Sequence, residues 1–230
     1  MNDYPPFPGF REQAFTFLRD LARHNEREWF KKRKSIYEDE LVWPMKCLIA
    51  DAGRRSVLEG HALTGDPERG MFRIYRDTRF SKNKLPYKTH VGAVLSRSGD
   101  RSDPGGLYIH VEPDKSLLAV GFWLLDPKVI RRWRESIAGN PGAFLAMTNT
   151  LAARGLTLDD EESLKRMPRG YEHLAEEEIA GYLRLKSFYV TRYVQNAWLQ
   201  EPSFTEMVVQ MIRDAEPLLE YGWDLELQHS

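Results

Sequence analysis

The chain has one cysteine, Cys47. That excludes an internal disulfide and any cysteine-based zinc cluster. No histidine lies near Cys47 in sequence and nothing visible would depress its pKa, so it reads as a buried, inert thiol. Familiar catalytic signatures are absent too. There is no P-loop, no Gly-x-Gly-x-x-Gly, no Gly-x-Ser-x-Gly and no His-Glu-x-x-His, so the usual nucleotide-triphosphate, serine-hydrolase and zincin chemistries have no support. Charge of one sign is also lacking. Thirty-three Lys and Arg against 34 Asp and Glu leave a net charge of −1, which argues against a protein that coats nucleic acid nonspecifically. No apolar run is long enough to span a bilayer. Residues 1–8 have neither a basic region nor an apolar one of the kind that begins a secretory leader. A cytoplasmic protein with no membrane partner is expected. No internal repeat or low-complexity tract interrupts the chain, and its 230 residues read as one domain, 1–230.

One stretch breaks this even mixture. From Met71 to His90 the chain carries Arg73, Arg76, Arg79, Lys82, Lys84 and Lys88 against a single acid, Asp77. A local basic cluster in a nearly neutral protein points to a local anionic partner. Guanidinium groups crowded together are costly unless a carboxylate or a bound anion neutralises them.

Hydrophobic periodicity sets the expected architecture. Residues 10–23 repeat apolar side chains at helical spacing. Asn25 with Glu28 has the form of a capping box, opening a second helix whose run Lys31, Lys32, Arg33 and Lys34 reads as a solvated face. Pro44 either kinks that helix or starts a third. Residues 59–70 read as a loop and Met71–Arg76 as a strand, with Arg73, Tyr75, Asp77 and Arg79 on one face and Phe72, Ile74, Arg76 and Thr78 on the other. Strands are expected at Gly92–Arg97, Leu107–Val111 and Leu117–Leu125. The last two are joined by a short hairpin connection, and the second is apolar on both faces, hence central and covered on both sides. The glycine-rich stretch 96–106 reads as a loop. Asp126-Pro127 and Asn140-Pro141 are helix starts, with Gly155 placed as a stop. A helix near Glu172–Leu183, a final strand at Lys186–Val194 and a terminal helix opened by Ser203 and Glu206 complete the chain. This order gives an α+β fold with a mainly antiparallel sheet packed by N- and C-terminal helices.

Two groups carry candidate chemistry. The first is an anion site of Arg73, Arg76, Arg79, Lys84 and Lys88, in which arginine forks suit phosphate or carboxylate and Tyr87 donates a hydrogen bond. The alternative is a structural ion-pair network built on Asp77 and acids from elsewhere. The second group is Tyr108, His110 and Glu112, at i, i+2 and i+4 of a strand and therefore on one face. His110 and Glu112, with Asp77, are candidates for proton transfer. His110 and Glu112 alone supply two ligands, and a divalent ion wants at least one more, such as Asp77 or His90, so no metal site is assigned. Lys165, Arg166, Arg169, Lys186 and Arg192 are further bases that could complete a basic cleft around an anion, although each taken singly reads first as exposed charge near a loop. The sequence leaves the cofactor, the substrate and the reaction open.

Arg73-x-x-Arg76-Asp77-x-Arg79-Phe80, followed by Asn83-Lys84-x-x-Tyr87, resembles the signature of the DUF2461 family. The resemblance extends to Phe7-x-Gly9-Phe10 with Leu18, Asn25-x-x-x-Trp29-Phe30, Tyr108-x-His110-x-Glu112-Pro113, Lys165-Arg166-x-Pro168-x-Gly170-Tyr171 and Lys186-Ser187-Phe188. It implies a bacterial protein of about this length, with some fungal relatives, and no particular reaction. The expected partner is a phosphate-containing or other anionic small molecule, bound by a protein that is either an enzyme or a simple binder. The alternatives are a nucleic-acid-binding module, since Tyr75, Phe80 and Tyr87 interleave the bases as stacking platforms do, and an interaction module whose arginines are structural. Oligomeric state is not legible.

Overall fold

A computed structural model describes residues 4–79 and 81–227. Phe80 of the signature and the first three residues of the proline-rich lead-in lie outside them. The chain is α+β, with a four-stranded antiparallel sheet in the order β1-β2-β3-β4. The strands are β1 (Val91–Ser96), β2 (Gly106–Val111), β3 (Ser116–Phe122) and β4 (Phe188–Val194). The chain divides into two compact units, 1–103 with 107–118 and 193–211, and 104–106 with 119–192 and 212–230.

In the first unit, α1 (Glu12–Arg23) buries Ala14, Phe15, Phe17, Leu18 and Leu21, as its periodicity demands. The turn after it differs from expectation. The next helix, α2 (Arg27–Lys31), starts with Glu26 at its N-cap and has no side-chain cap. Asn25 is buried instead and bonds both backbone groups of Tyr87: its Nδ2 donates to the Tyr87 carbonyl and its Oδ1 accepts from the Tyr87 N–H, each at 3.0 Å. Buried backbone groups must be paired. That requirement outweighs a cap at a helix end that water can reach.

Helix α3 (Lys34–Tyr37) runs through a π-helical turn (Glu38–Val42) into α4 (Trp43–Leu58), with Pro44 in its first turn. The helical path neither breaks nor restarts at the proline. A widened turn is one way for a helix to accommodate a residue that has no N–H and a bulky ring. On α4, Asp51 is buried and accepts from Phe7 N, Thr205 Oγ1 and Arg55 Nε, at 3.1, 3.1 and 3.3 Å. One carboxylate thereby ties the N-terminal segment to α4 and to the start of α9 (Phe204–Leu227).

Residues 71–76 form isolated bridges, Met71 with Ala93 and Tyr75 with Tyr87, with a bend at Ile74, instead of the expected strand. The bonds Phe72 N to Gly92 O, Lys88 N to Ile74 O and Arg76 N to Pro86 O hold this irregular hairpin. Pro86 has no N–H to return, so the ladder cannot continue there. The expected alternation survives: Arg73, Tyr75, Asp77 and Arg79 are exposed, while Phe72, Ile74, Arg76 and Thr78 are buried or half-buried.

Strand β3 is internal to the sheet, as expected, but its burial alternates. Leu117, Ala119 and Gly121 are only half-buried, so its second face is not fully covered. The β2–β3 connection closes with Lys115 N bonded to Glu112 O, and Asp114 takes a left-handed conformation at φ 63°.

In the second unit, the side chain of Asp126 accepts from Lys128 N at the start of α5 (Pro127–Gly139), and that of Asn140 accepts from Ala143 N at the start of α6 (Pro141–Ala153). The helix expected at Glu172–Leu183 is replaced by a 3-10 turn (Glu172–Leu174) and a one-turn helix, α7 (Ala180–Leu183). Glu172 and Glu176 would repel at i, i+4 in a continuous helix, and the Glu172 carboxylate instead accepts from Gly170 N. The core of this unit centres on Trp133, stacked on Phe188 with ring centroids 4.0 Å apart and packed edge-on against Phe122. After β4 the chain passes through the short α8 (Asn196–Leu199), in the first unit, to α9.

Candidate functional site

The structure gathers part of the polar residues singled out by sequence at two places, both in the first unit. One is the sheet face shared by β1 and β2. Tyr108, His110 and Glu112 do share that face and are linked in a chain of hydrogen bonds. The Tyr108 hydroxyl lies 3.0 Å from His110 Nδ1, and His110 Nε2 lies 3.2 Å from Glu112 Oε2. Thr89 Oγ1 donates to Glu112 Oε1 at 3.1 Å. Immediately before the adjoining strand β1, His90 brings its ring to 4.3 Å from that of His110, centroid to centroid. Two residues on, Gly92 faces Tyr108: a Cβ at position 92 would lie 2.6 Å from the Tyr108 oxygen. The absent side chain is what lets the tyrosine lie flat on its neighbour strand.

Electrostatics follow from this packing. Burial, reinforced by His110, pushes the His90 imidazole down to about 4, so it is neutral at pH 7. Burial, reinforced by the Glu112 carboxylate, pushes the Tyr108 phenol up to about 12. Ligand atoms of His90, His110 and Glu112 all lie within 4.8 Å of one another. Asp77, the third residue expected beside His110 and Glu112, is not part of that group. Its carboxylate is gripped by Arg79, with Nε at 3.0 Å and Nη2 at 2.7 Å, and the Arg79 side chain and backbone hold it down at about 2.

The other place is a pocket of about 360 Å³ lined by residues of α2, α3 and the 75–87 hairpin. Of the expected anion-binding residues, Arg76 and Tyr87 line it. The others stand outside the lining. Arg73 is exposed, and Arg79 pairs with Asp77. Lys84 Nζ donates to the Thr78 carbonyl at 2.8 Å. Lys88 lies over the Phe72 ring at 5.4 Å, its pKa lowered by burial and by Arg73. The remaining cations of the pocket are Arg27, Lys31 and Lys34. In sequence Lys31 and Lys34 belong to a run with the look of a solvated face, and Arg27 carries no signal of its own. Their common spacing of i, i+4 and i+7 nevertheless puts all three on one side of a helical path. Phe30 and Tyr87 stack beneath, with ring centroids 4.2 Å apart, and Tyr75 stands half-exposed at the edge. Lys34 is tied to Glu38 at 3.0 Å. Arg27, Lys31 and Arg76 have no ion-pair partner among the described residues.

Elsewhere, Arg192 pairs with Asp214 at 3.0 Å, and Lys165, Arg166, Arg169 and Lys186 are exposed. Cys47 is fully buried, and burial pushes its thiol pKa up, in line with an inert role. Among the described residues no helix is long and apolar enough to cross a membrane.

Fold and polar residues together define an α+β protein with a polar sheet face and a basic pocket in its first compact unit. The chain belongs to the family described as "Conserved hypothetical protein (DUF2461)", whose family model matches residues 13–221. Comparisons with curated proteins and with solved structures return no match.

Proposed function

We propose that this protein binds a small anionic ligand, phosphate-bearing or carboxylate, in the pocket bordered by Arg27, Lys31, Lys34 and Arg76. The observation that carries this reading is the imbalance of charge at one concave site. Four cations and one acid, Glu28, line the pocket, and three of the cations lack ion-pair partners among the described residues. An incoming anion relieves the like-charge repulsion of such a cluster and is attracted by its summed field. Arginine at position 76 offers a planar fork for two oxygens, while the lysines act as point charges. The aromatic floor of Phe30 and Tyr87, with Tyr75 at the rim, favours a ligand that carries a planar or apolar part beside its anionic group. A volume of about 360 Å³ suits a small molecule better than a polymer track.

The test is a thermal-shift and calorimetric screen of the purified protein against inorganic phosphate, nucleoside monophosphates, sugar phosphates and short single-stranded oligonucleotides. A ligand at one hundred times its Kd raises stability by about 2.7 kcal/mol. The expected result is binding of one small-anion class that is weakened about 10- to 100-fold in Arg76→Ala. Unchanged binding in a folded Arg76→Ala protein removes the reading. Oligonucleotide binding with a steep salt slope replaces it with nucleic-acid recognition.

A further inference from the structure

We propose that His90, His110 and Glu112 are the protein ligands of a divalent first-row transition ion, of the zinc or ferrous class, on the sheet face shared by β1 and β2. The proposal rests on a different group of residues from the anion pocket and stands or falls separately from it.

The donor set is two imidazoles and one carboxylate, each half-buried, with ligand atoms within 4.8 Å of one another. In a tetrahedral shell with metal–ligand bonds near 2.1 Å, ligand atoms sit about 3.4 Å apart. Small side-chain rotations close the difference. Nitrogen donors favour zinc, iron, cobalt or nickel over magnesium and calcium, which take oxygen shells. Three protein donors leave coordination positions open for water or a substrate atom. His110 and Glu112 keep side-chain exposures of 16% and 24%, so an ion can reach them from solvent.

The surroundings orient these donors as second-sphere partners do. Tyr108 contacts His110 Nδ1 and so aims Nε2 at Glu112, while Thr89 holds Glu112 Oε1 and leaves Oε2 directed at His110. On metal binding the His110 ring proton resides on Nδ1 and is donated to the Tyr108 oxygen, which frees the Nε2 lone pair for the ion. This is a tautomer change with no net loss of a proton. A metal-free relay of Tyr108, His110 and Glu112 accounts for three of these residues but not for His90. The His90 ring lies against that of His110 yet makes no hydrogen bond among the described residues. A shared ion gives a second imidazole a reason to be there.

The experiment uses the full chain stripped of metal by chelator dialysis. Zn²⁺ binding is followed by calorimetry, and Co²⁺ binding by its visible ligand-field absorption. The expected result is one equivalent bound, with Mg²⁺ unable to compete. His90→Ala, His110→Ala and Glu112→Gln should each abolish stoichiometric binding. Tyr108→Phe and Thr89→Val should weaken it about 10- to 100-fold. His173→Ala, in the second compact unit, serves as the control and leaves binding unchanged. Circular dichroism checks that each variant folds; if His110→Ala does not, His90→Ala and Glu112→Gln carry the test. Failure of the wild type to bind Zn²⁺ or Co²⁺ overturns the proposal, as does binding that persists in folded His90→Ala or Glu112→Gln. Preference for Mg²⁺ overturns the assigned ion class.

Discussion

Asn25 holds both backbone groups of Tyr87 across 62 positions of sequence, with two bonds of 3.0 Å. The pairing anchors the hairpin that carries the basic signature to the turn between α1 and α2. It also fixes the Tyr87 ring in its stack with Phe30, at the floor of the basic pocket. Asn25→Ala leaves a buried donor and a buried acceptor without partners, at about 1–3 kcal/mol for each orphaned group. Urea denaturation should show that loss as a lower midpoint at unchanged slope. Asn25→Asp keeps the acceptor and loses the donor, so it should also be destabilised. Unchanged stability in both variants would mean that Tyr87 finds other partners.

Gly92 makes a second anchor testable. A methyl group there meets the Tyr108 hydroxyl at 2.6 Å. Gly92→Ala should therefore displace Tyr108 and cost about 1–3 kcal/mol, the range for overpacking. In Gly92→Ala/Tyr108→Ala the clash is gone, so the cost of the alanine at 92 should shrink. A double-mutant cycle by chemical denaturation measures the coupling.

Asp77 should titrate near 2 in the folded protein, because Arg79 favours its charged form. A carboxyl with a depressed folded-state pKa contributes stability that is present above its ordinary value, 3.8, and is lost as pH falls toward 2. The pair is exposed, so the effect on global stability is small and the direct readout is carboxyl-carbon NMR. Arg79→Ala should return the Asp77 midpoint toward 3.8. A midpoint that stays low in that variant would assign the shift to another partner.

Arg76 and Arg79 should behave differently, although both belong to the same signature. Arg76 lines the basic pocket, and Arg79 is occupied by Asp77. Arg76→Ala should weaken anion binding by about 10- to 100-fold, the equivalent of one charge-assisted contact. Arg79→Ala should leave the affinity within about twofold, since it lies outside the pocket lining and acts only through screened charge. Calorimetry with the best anion from the screen separates the two. Equal losses would extend the binding surface along the whole signature.

Where local chemistry decides structure, the sequence was sufficient. The spacing of Phe15, Leu18 and Leu21 gave an amphipathic helix. Asp126 and Asn140 capped the helices that follow them. Alternation along 72–79 came through even though no regular strand formed there. The family was legible for the same reason, since its signature is a run of neighbouring residues. The placing of Tyr108, His110 and Glu112 on one face needed only the two-residue period of a strand.

Long-range competition decided the rest. Asn25 has every local mark of a cap, but the unsatisfied backbone of Tyr87 claims its side chain. Arg73, Arg76, Arg79, Lys84 and Lys88 look equivalent in sequence. Asp77, the Thr78 carbonyl and the Phe72 ring engage Arg79, Lys84 and Lys88 in turn, leaving Arg76 to meet Arg27, Lys31 and Lys34 from a much earlier segment. His90 reaches His110 only because β1 pairs with β2. Periodicity fixes the direction in which a side chain leaves its own backbone. Which distant group it meets depends on strand pairing and on buried polar groups finding partners, and those are settled only when the chain is packed.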